Sequence, residues 1–319
     1  MKKLLSLTIA LVMLLTLGAL TACQNTEDDG TYTVGIIQLA EHPALDSATE
    51  GFKAALTEKL GDTVNFEEKN AQGEQTNCTT IVNGFVNSNV DLIMANATNA
   101  VKAAQEATST IPVVGTSVTS YEGSDLVASD DAPGANVTGA SDYLPVSTQI
   151  SLVKAFCPDA KTIGIVYASG EENSQIQATE AKTAFENEGY TVKLYTVADT
   201  NEISSVVTQA CSEVDAFYEP TDNLMASNVA AMTNITNANK IPVFTCEEGM
   251  VGSGMLAAYA LSYYDLGYQA GLMAYDILVN GKNPAEMPIF KFDTSNLKLA
   301  VNEDTMSELG LTLPASLEK

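Results

Sequence analysis

The sequence predicts an α/β protein of two doubly wound, parallel-sheet lobes joined by a three-crossing hinge. Three observations predict it. Short, continuous apolar runs alternate with amphipathic stretches, the pattern of strands buried on both faces beneath covering helices. The pattern occurs twice, in the same order and at a nearly constant offset. After the second copy come a strand, a long helix and a further strand, which a chain needs to cross back into its first lobe and return.

The first copy opens with TVGIIQL (33–39), a buried strand, and HPALDSATEGFKAALTEKLG, a helix stopped by Gly61. VNFEEKNA (64–71), DLIMANA (91–97) and IPVVGTSV (111–118) follow as strands, with helical stretches between them. The second copy runs TIGIVYAS (162–169), TVKLYTVA (191–198), VDAFYEPTDN (214–223) and KIPVFTCEEG (240–249). The offset is about 129 residues for the first strand, about 124 for the third and about 130 for the fourth, and chance does not preserve type, order and spacing together. NVTGASDYLP (136–145) reads as the first crossover; 254–281 and 291–302 supply the return. The predicted boundaries are 31–142 plus 260–286 for the first lobe and 143–259 plus 287–319 for the second.

The amino terminus sets the expected compartment. Lys2 and Lys3 precede an apolar stretch from Leu4 to Leu20, then L-T-A-C ending at Cys23. This reads as a signal peptide over 1–22 with a lipid-acceptor cysteine and a polar tether over 23–30. The acyl chains on Cys23 would hold the protein on the outer face of the cell membrane or its periplasmic side. Downstream, no apolar run approaches spanning length.

Composition excludes several classes. All 15 basic residues are Lys, against 40 acids, for a net charge of −25. Nucleic acid needs clustered cations and is a poor partner. His42 is the single histidine, which weakens a transition-metal site and His-based catalysis. No G-x-S-x-G, P-loop or H-E-x-x-H is present, so no enzyme activity, cofactor or metal is expected. Cys78, Cys157, Cys211 and Cys246 show no C-x-x-C spacing and read as buried small hydrophobes.

In open α/β sheets ligands sit beyond the carboxyl ends of the strands, so two facing lobes would share one cleft. The residues there include Gln38, Glu41, His42 and Asp46, then Asn96 and Thr98, then Ser117 and Tyr121, and Ser141 and Asp142 at the crossover. The second lobe offers Tyr167, Glu171, Asn173 and Ser174, then Tyr218, Thr221, Asp222 and Asn223, and Glu247. From these, Gln38, Glu41, Thr98, Ser117, Tyr121, Ser141, Asp142, Tyr167, Glu171, Ser174, Tyr218, Thr221, Asn223 and Glu247 are expected to touch ligand. Tyr263, Tyr264 and Tyr268 are expected only to pack. Without Arg, a phosphate or dicarboxylate is disfavoured; without Trp, so is a sugar stacked on indole. Hydroxyl caps for a carboxylate, acids for an ammonium and tyrosines for an apolar side chain suit an amino acid. A sugar or nucleoside remains the alternative ligand, and sensing for a signalling receptor the alternative role.

VGIIQLAEHPALDSATEGF, NVTGASDYLPV, IGIVYASGEENSQIQ, FYEPTDN and EEGMV…SYYDLGYQAG resemble the substrate-binding lipoproteins of ABC importers, a group with the type I periplasmic-binding-protein fold associated with tryptophan or tyrosine uptake. The resemblance implies delivery of an aromatic or apolar amino acid to membrane permease subunits; a monomer that closes its lobes on the ligand is expected.

Overall fold

The computed structural model describes residues Gly30–Leu317. The expected signal peptide, the expected lipid-acceptor Cys23 and most of the tether lie outside the described residues. The compact unit that begins at Tyr32 contains two six-stranded sheets. In chain order the first contains β1 (Tyr32–Gln38), β2 (Val64–Asn70), β3 (Leu92–Asn96), β4 (Val113–Val118) and β5 (Val137–Ser141), with β11 (Phe290–Lys291) added late. The second contains β6 (Thr162–Ala168), β7 (Thr191–Val197), β8 (Ala216–Glu219), β9 (Val243–Thr245), β10 (Ala257–Ala260) and β12 (Lys298–Val301).

The spatial orders are β11-β5-β4-β3-β1-β2 and β12-β10-β9-β8-β6-β7, the same order twice. All pairings are parallel except β10 with β12. The central strands β3, β4 and β8 are buried along their whole length, as their unbroken apolar runs require. The edge strands β2 and β7 are largely exposed and carry charges that discourage further pairing.

Helices α1 (Pro43–Leu60), α2 (Gln75–Ser88) and α3 (Thr98–Ala107) connect the strands of the first lobe. α4 (Val146–Phe156), α5 (Glu172–Asn187), α6 (Thr200–Cys211), α7 (Asn223–Ala226), α8 (Val229–Ala238) and α9 (Glu248–Gly252) serve the second. α10 (Tyr263–Leu278) returns to the first lobe and packs on α1, and α11 (Glu303–Leu309) closes the second. The α1–α10 approach depends on glycine. A Cβ on Gly267 would lie 1.9 Å from the Ala48 carbonyl oxygen, and one on Gly51 would lie 2.0 Å from that of Tyr264. Two helix backbones meet there without side chains between them.

Three segments cross between the sheets: from β5 to α4, from β10 to α10, and from β11 to β12. Two expectations need correction. The stretch 136–145 is more than a connector, because Val137–Ser141 is a fully buried strand paired with β4. The segment from 287 does not pass directly into the second lobe, because Phe290 and Lys291 first pair with Ala140 and Ser141. All four downstream cysteines are free thiols. Cys78 and Cys246 are buried as expected, while Cys157 and Cys211 are only half-buried, at the ends of α4 and α6.

Candidate functional site

The strand ends of both sheets converge on a small, nearly filled void. From the first lobe, His42, Leu45, Ser117 and Thr119 line it, with Asp142 at the crossover and Tyr263 at the start of α10. From the second come Asn173, Thr221, Asp222, Asn223 and Glu247. A larger, more open cavity at the cleft mouth is bounded by Glu41, Gln72–Gln75, Glu171, Asp199 and Asn223 among others. Asn223 borders both.

Four polar residues of the two cavities stand where a strand gives way to a helix. His42, Glu171, Asp222 and Glu247 are the N-cap residues of α1, α5, α7 and α9. Helix N-termini present free N–H groups and positive dipole ends, which reduces the cost of burying carboxylates there. Asp222 accepts from Ala168 N at 2.6 Å and Met225 N at 2.9 Å. Glu171 accepts from Asn223 N at 3.0 Å, Asn223 Nδ2 at 2.5 Å and Leu224 N at 2.8 Å. Ser117 holds a left-handed backbone, φ 55°, and Ala97 sits at φ 89°, so the first lobe stores strain at two strand ends beside the cleft.

Bonds between the lobes frame the void. Thr119 and Thr221 share a hydrogen bond at 2.8 Å, and His42 Nε2 lies 3.2 Å from Asn223 Oδ1. The Tyr263 hydroxyl donates to Asp142 Oδ2 at 2.8 Å, so this tyrosine is a wall residue and not only packing. At the rim, Lys102 pairs with Glu172 at 2.9 Å.

The site is strongly acidic. Asp142, Glu171, Glu219, Asp222 and Glu247 are all buried, and among the described residues no lysine lines the void. Burial is the main cause that pushes each of these carboxyls upward; neighbouring carboxylates push Glu171, Glu219 and Glu247 further. Glu219 is fully buried and neither carboxylate oxygen has a partner in the protein. Around the void, Asp142 Oδ1, Asn173 Oδ1, Glu247 Oε2, Ser117 Oγ and His42 Nδ1 are also buried without partners. Buried polar atoms are normally bonded, so this concentration makes the void the candidate ligand site. Among the described residues no group of three or more His, Cys, Asp or Glu is disposed to hold a metal ion.

The expected contact residues divide. Ser117, Asp142, Thr221, Asn223 and Glu247 line the void; Glu41 and Glu171 line the mouth. The others line neither cavity. Gln38 is spent internally, donating to Ala40 O and Asp46 and accepting from Thr49. Tyr121 is a core side chain whose hydroxyl donates to Ala140 O at 3.3 Å. Ser141 donates to Thr119 O, and Ser174 donates to Thr221 O. Tyr167 and Tyr218 pack in the second lobe's core, Tyr218 against Phe185. Thr98 is buried at the start of α3. Thr119, on the void, and Glu219, buried behind it without lining either cavity, are not among the expected residues. The signal for Glu219 was an acid closing an apolar strand, and for Thr119 a hydroxyl one residue beyond the end of β4.

A family profile described as ABC transporter substrate binding protein matches residues 33–319. The chain is 36% identical to a tyrosine-binding protein of Clostridioides difficile (strain R20291), over 97% of this chain and 93% of that protein. It superposes with a TM-score of 0.86 on an ABC domain from Streptococcus pneumonia solved in complex with L-Trp, at 36% identity, covering 90% of this chain and 97% of that one. Against the ligand-free, open structure of a substrate binding protein with adhesive properties from Clostridium difficile, the identity is again 36%, with coverage of 89% and 97%, but the TM-score is 0.69. The fold is that of type I periplasmic binding proteins, and the chain belongs to the family of ABC transporter substrate-binding proteins, solute-binding proteins rather than enzymes.

Proposed function

We propose that the cleft binds an aromatic L-amino acid, tyrosine or tryptophan, and that the protein, held at the membrane by acyl chains on Cys23, delivers it to the permease as a monomer. As a substrate-binding protein of an ABC transporter it works outside the cytoplasm. One observation carries the ligand class. Asp142 Oδ1, Glu247 Oε2 and Asn173 Oδ1 are acceptors without partners on one void that no cationic side chain lines among the described residues. A primary ammonium brings three N–H donors and one positive charge, matching both needs. The Ser117 hydroxyl would donate to the carboxylate. The aromatic side chain is supported by the relatives, one named for tyrosine and one solved with L-Trp. Closure of the lobes about the three crossing segments would seal the ligand in. The hydroxyl and amide groups of the wall would also suit a sugar, but a sugar brings no charge to offset the buried acids.

A thermal-shift screen of the purified chain over amino acids, sugars and nucleosides tests this, since a ligand bound to the folded state raises the unfolding midpoint. Tyrosine or tryptophan should raise it, and sugars should not. Stabilisation by a sugar alone would end the amino-acid reading. In cells, Cys23→Ala should move the protein from the membrane to the soluble fraction; retention at the membrane would end the anchor reading.

A further inference from the structure

The void presents more acceptors than an ammonium can use. Three carboxylate and amide oxygens already match its three N–H groups, and His42 Nδ1 is a fourth acceptor on the same wall. Its role as acceptor follows from a chain of bonds. Glu171 Oε2 accepts from the Asn223 side-chain nitrogen at 2.5 Å, which turns the Asn223 oxygen toward His42. That oxygen can only accept, so Nε2 of His42 carries the proton. Burial lowers the imidazole's affinity for a second proton, so the ring is neutral and Nδ1 has a bare lone pair. His42 is 5% exposed, caps no helix N–H with its side chain, and Nδ1 has no partner in the protein. A buried acceptor left unpaired is destabilising.

We propose that His42 is a specificity-determining residue whose Nδ1 accepts a hydrogen bond from the ligand's side chain, so that the cleft selects aromatic amino acids carrying a side-chain donor, a phenol O–H or an indole N–H, over phenylalanine. Glu171 and Asn223 are positioning residues that set the tautomer. The inference rests on the reading of the cleft as an aromatic amino-acid site. It adds that the discriminating contact comes from the first lobe. Sites built to bond a ligand hydroxyl or N–H reject analogues that lack it more strongly than apolar pockets reject a change of size.

The test is titration calorimetry on the whole soluble domain with L-tyrosine, L-tryptophan, L-phenylalanine and 4-fluoro-L-phenylalanine, the last nearly matching tyrosine in size without the donor. Tyrosine or tryptophan should bind at least tenfold more tightly than both donor-free analogues. His42→Phe should narrow that ratio to about threefold or less, by weakening the donor-bearing ligand rather than strengthening phenylalanine. Because the chain has one histidine, ¹⁵N-labelled histidine reports its ring alone. The Nδ1 resonance of the Nε2–H tautomer should move on adding tyrosine or tryptophan and stay in place with phenylalanine. Equal affinity for phenylalanine in the wild type, or an unchanged ratio in His42→Phe, overturns the proposal while leaving the aromatic site standing. Failure of all four ligands to bind overturns the proposal together with the reading beneath it. If His42→Phe does not fold, the wild-type ratio and the ring signal decide.

Discussion

The two lobes repeat one topology but bring different chemistry to the cleft. Under the internal offset, His42 corresponds to Glu171, Thr98 to Asp222 and Ser117 to Glu247. At each pair the first lobe carries a neutral hydrogen-bonding side chain and the second an acid at a helix N-terminus. The backbone differs as well. The first lobe strains Ala97 and Ser117 into positive φ, whereas Glu247 is extended at φ −117°. Duplication fixes where the two sets of strand ends lie; divergence at matching positions decides which groups each lobe offers there. At the three matched positions the acids belong to the second lobe, and Asp142 at the crossover adds another.

Making the lobes alike should have the largest effect. Glu247→Ser copies the first lobe's residue into the second and removes one acceptor for the ammonium. Truncating one member of a buried charge pair costs about 2–5 kcal/mol, so ligand affinity should fall about thirtyfold or more while the unliganded fold is retained. Affinity within threefold of wild type, measured by calorimetry, would break the division of labour.

The acidity of the second lobe should also appear in the stability of the unliganded protein. A carboxyl raised in the folded state keeps its proton longer there than in the unfolded chain. From about pH 4.5 upward the folded state then binds more protons, so stability falls as pH rises and levels off beyond the folded values. Glu219, Glu247, Asp142, Asp222 and Glu171 all act in this direction. His42, whose folded value is lowered, opposes them below its ordinary value of 6.5. Between pH 5.5 and 8 the melting temperature should drop by roughly 5 °C, about 2 kcal/mol. Glu219→Gln, neutral at every pH, should flatten part of that slope. A midpoint that rises with pH would show that the cluster is not buried as described.

The smallest effect belongs to the first lobe's strain. Ala97 at φ 89° and ψ 155° occupies a region suited to glycine. Ala97→Gly should stabilise the protein by about 1 kcal/mol, read from chemical denaturation. Destabilisation instead would mean that its methyl contact outweighs the backbone strain.

Much of this was legible beforehand, and the misses share a cause. The strands at 33–39, 91–97 and 162–169 announced themselves because burial on both faces demands unbroken apolar runs. In the sequence β5 reads as a connector because VTGAS is short and small-residued, and only its place between β4 and β11 makes it a strand. Tyr263 reads as packing in the sequence because its partner Asp142 lies 121 residues away. Gln38, Tyr121 and Ser174 satisfy every expectation for strand-end residues, yet internal partners consume them.

Amino-acid order alone determined the lobes, their duplication, the absence of Arg and the run of acids at strand ends, because these follow from local periodicity and composition. Only the tertiary structure decided which of those side chains remain unpaired on one void. Pairing is settled by groups far apart in the chain, and a buried atom becomes a binding group only when folding has left it without a partner.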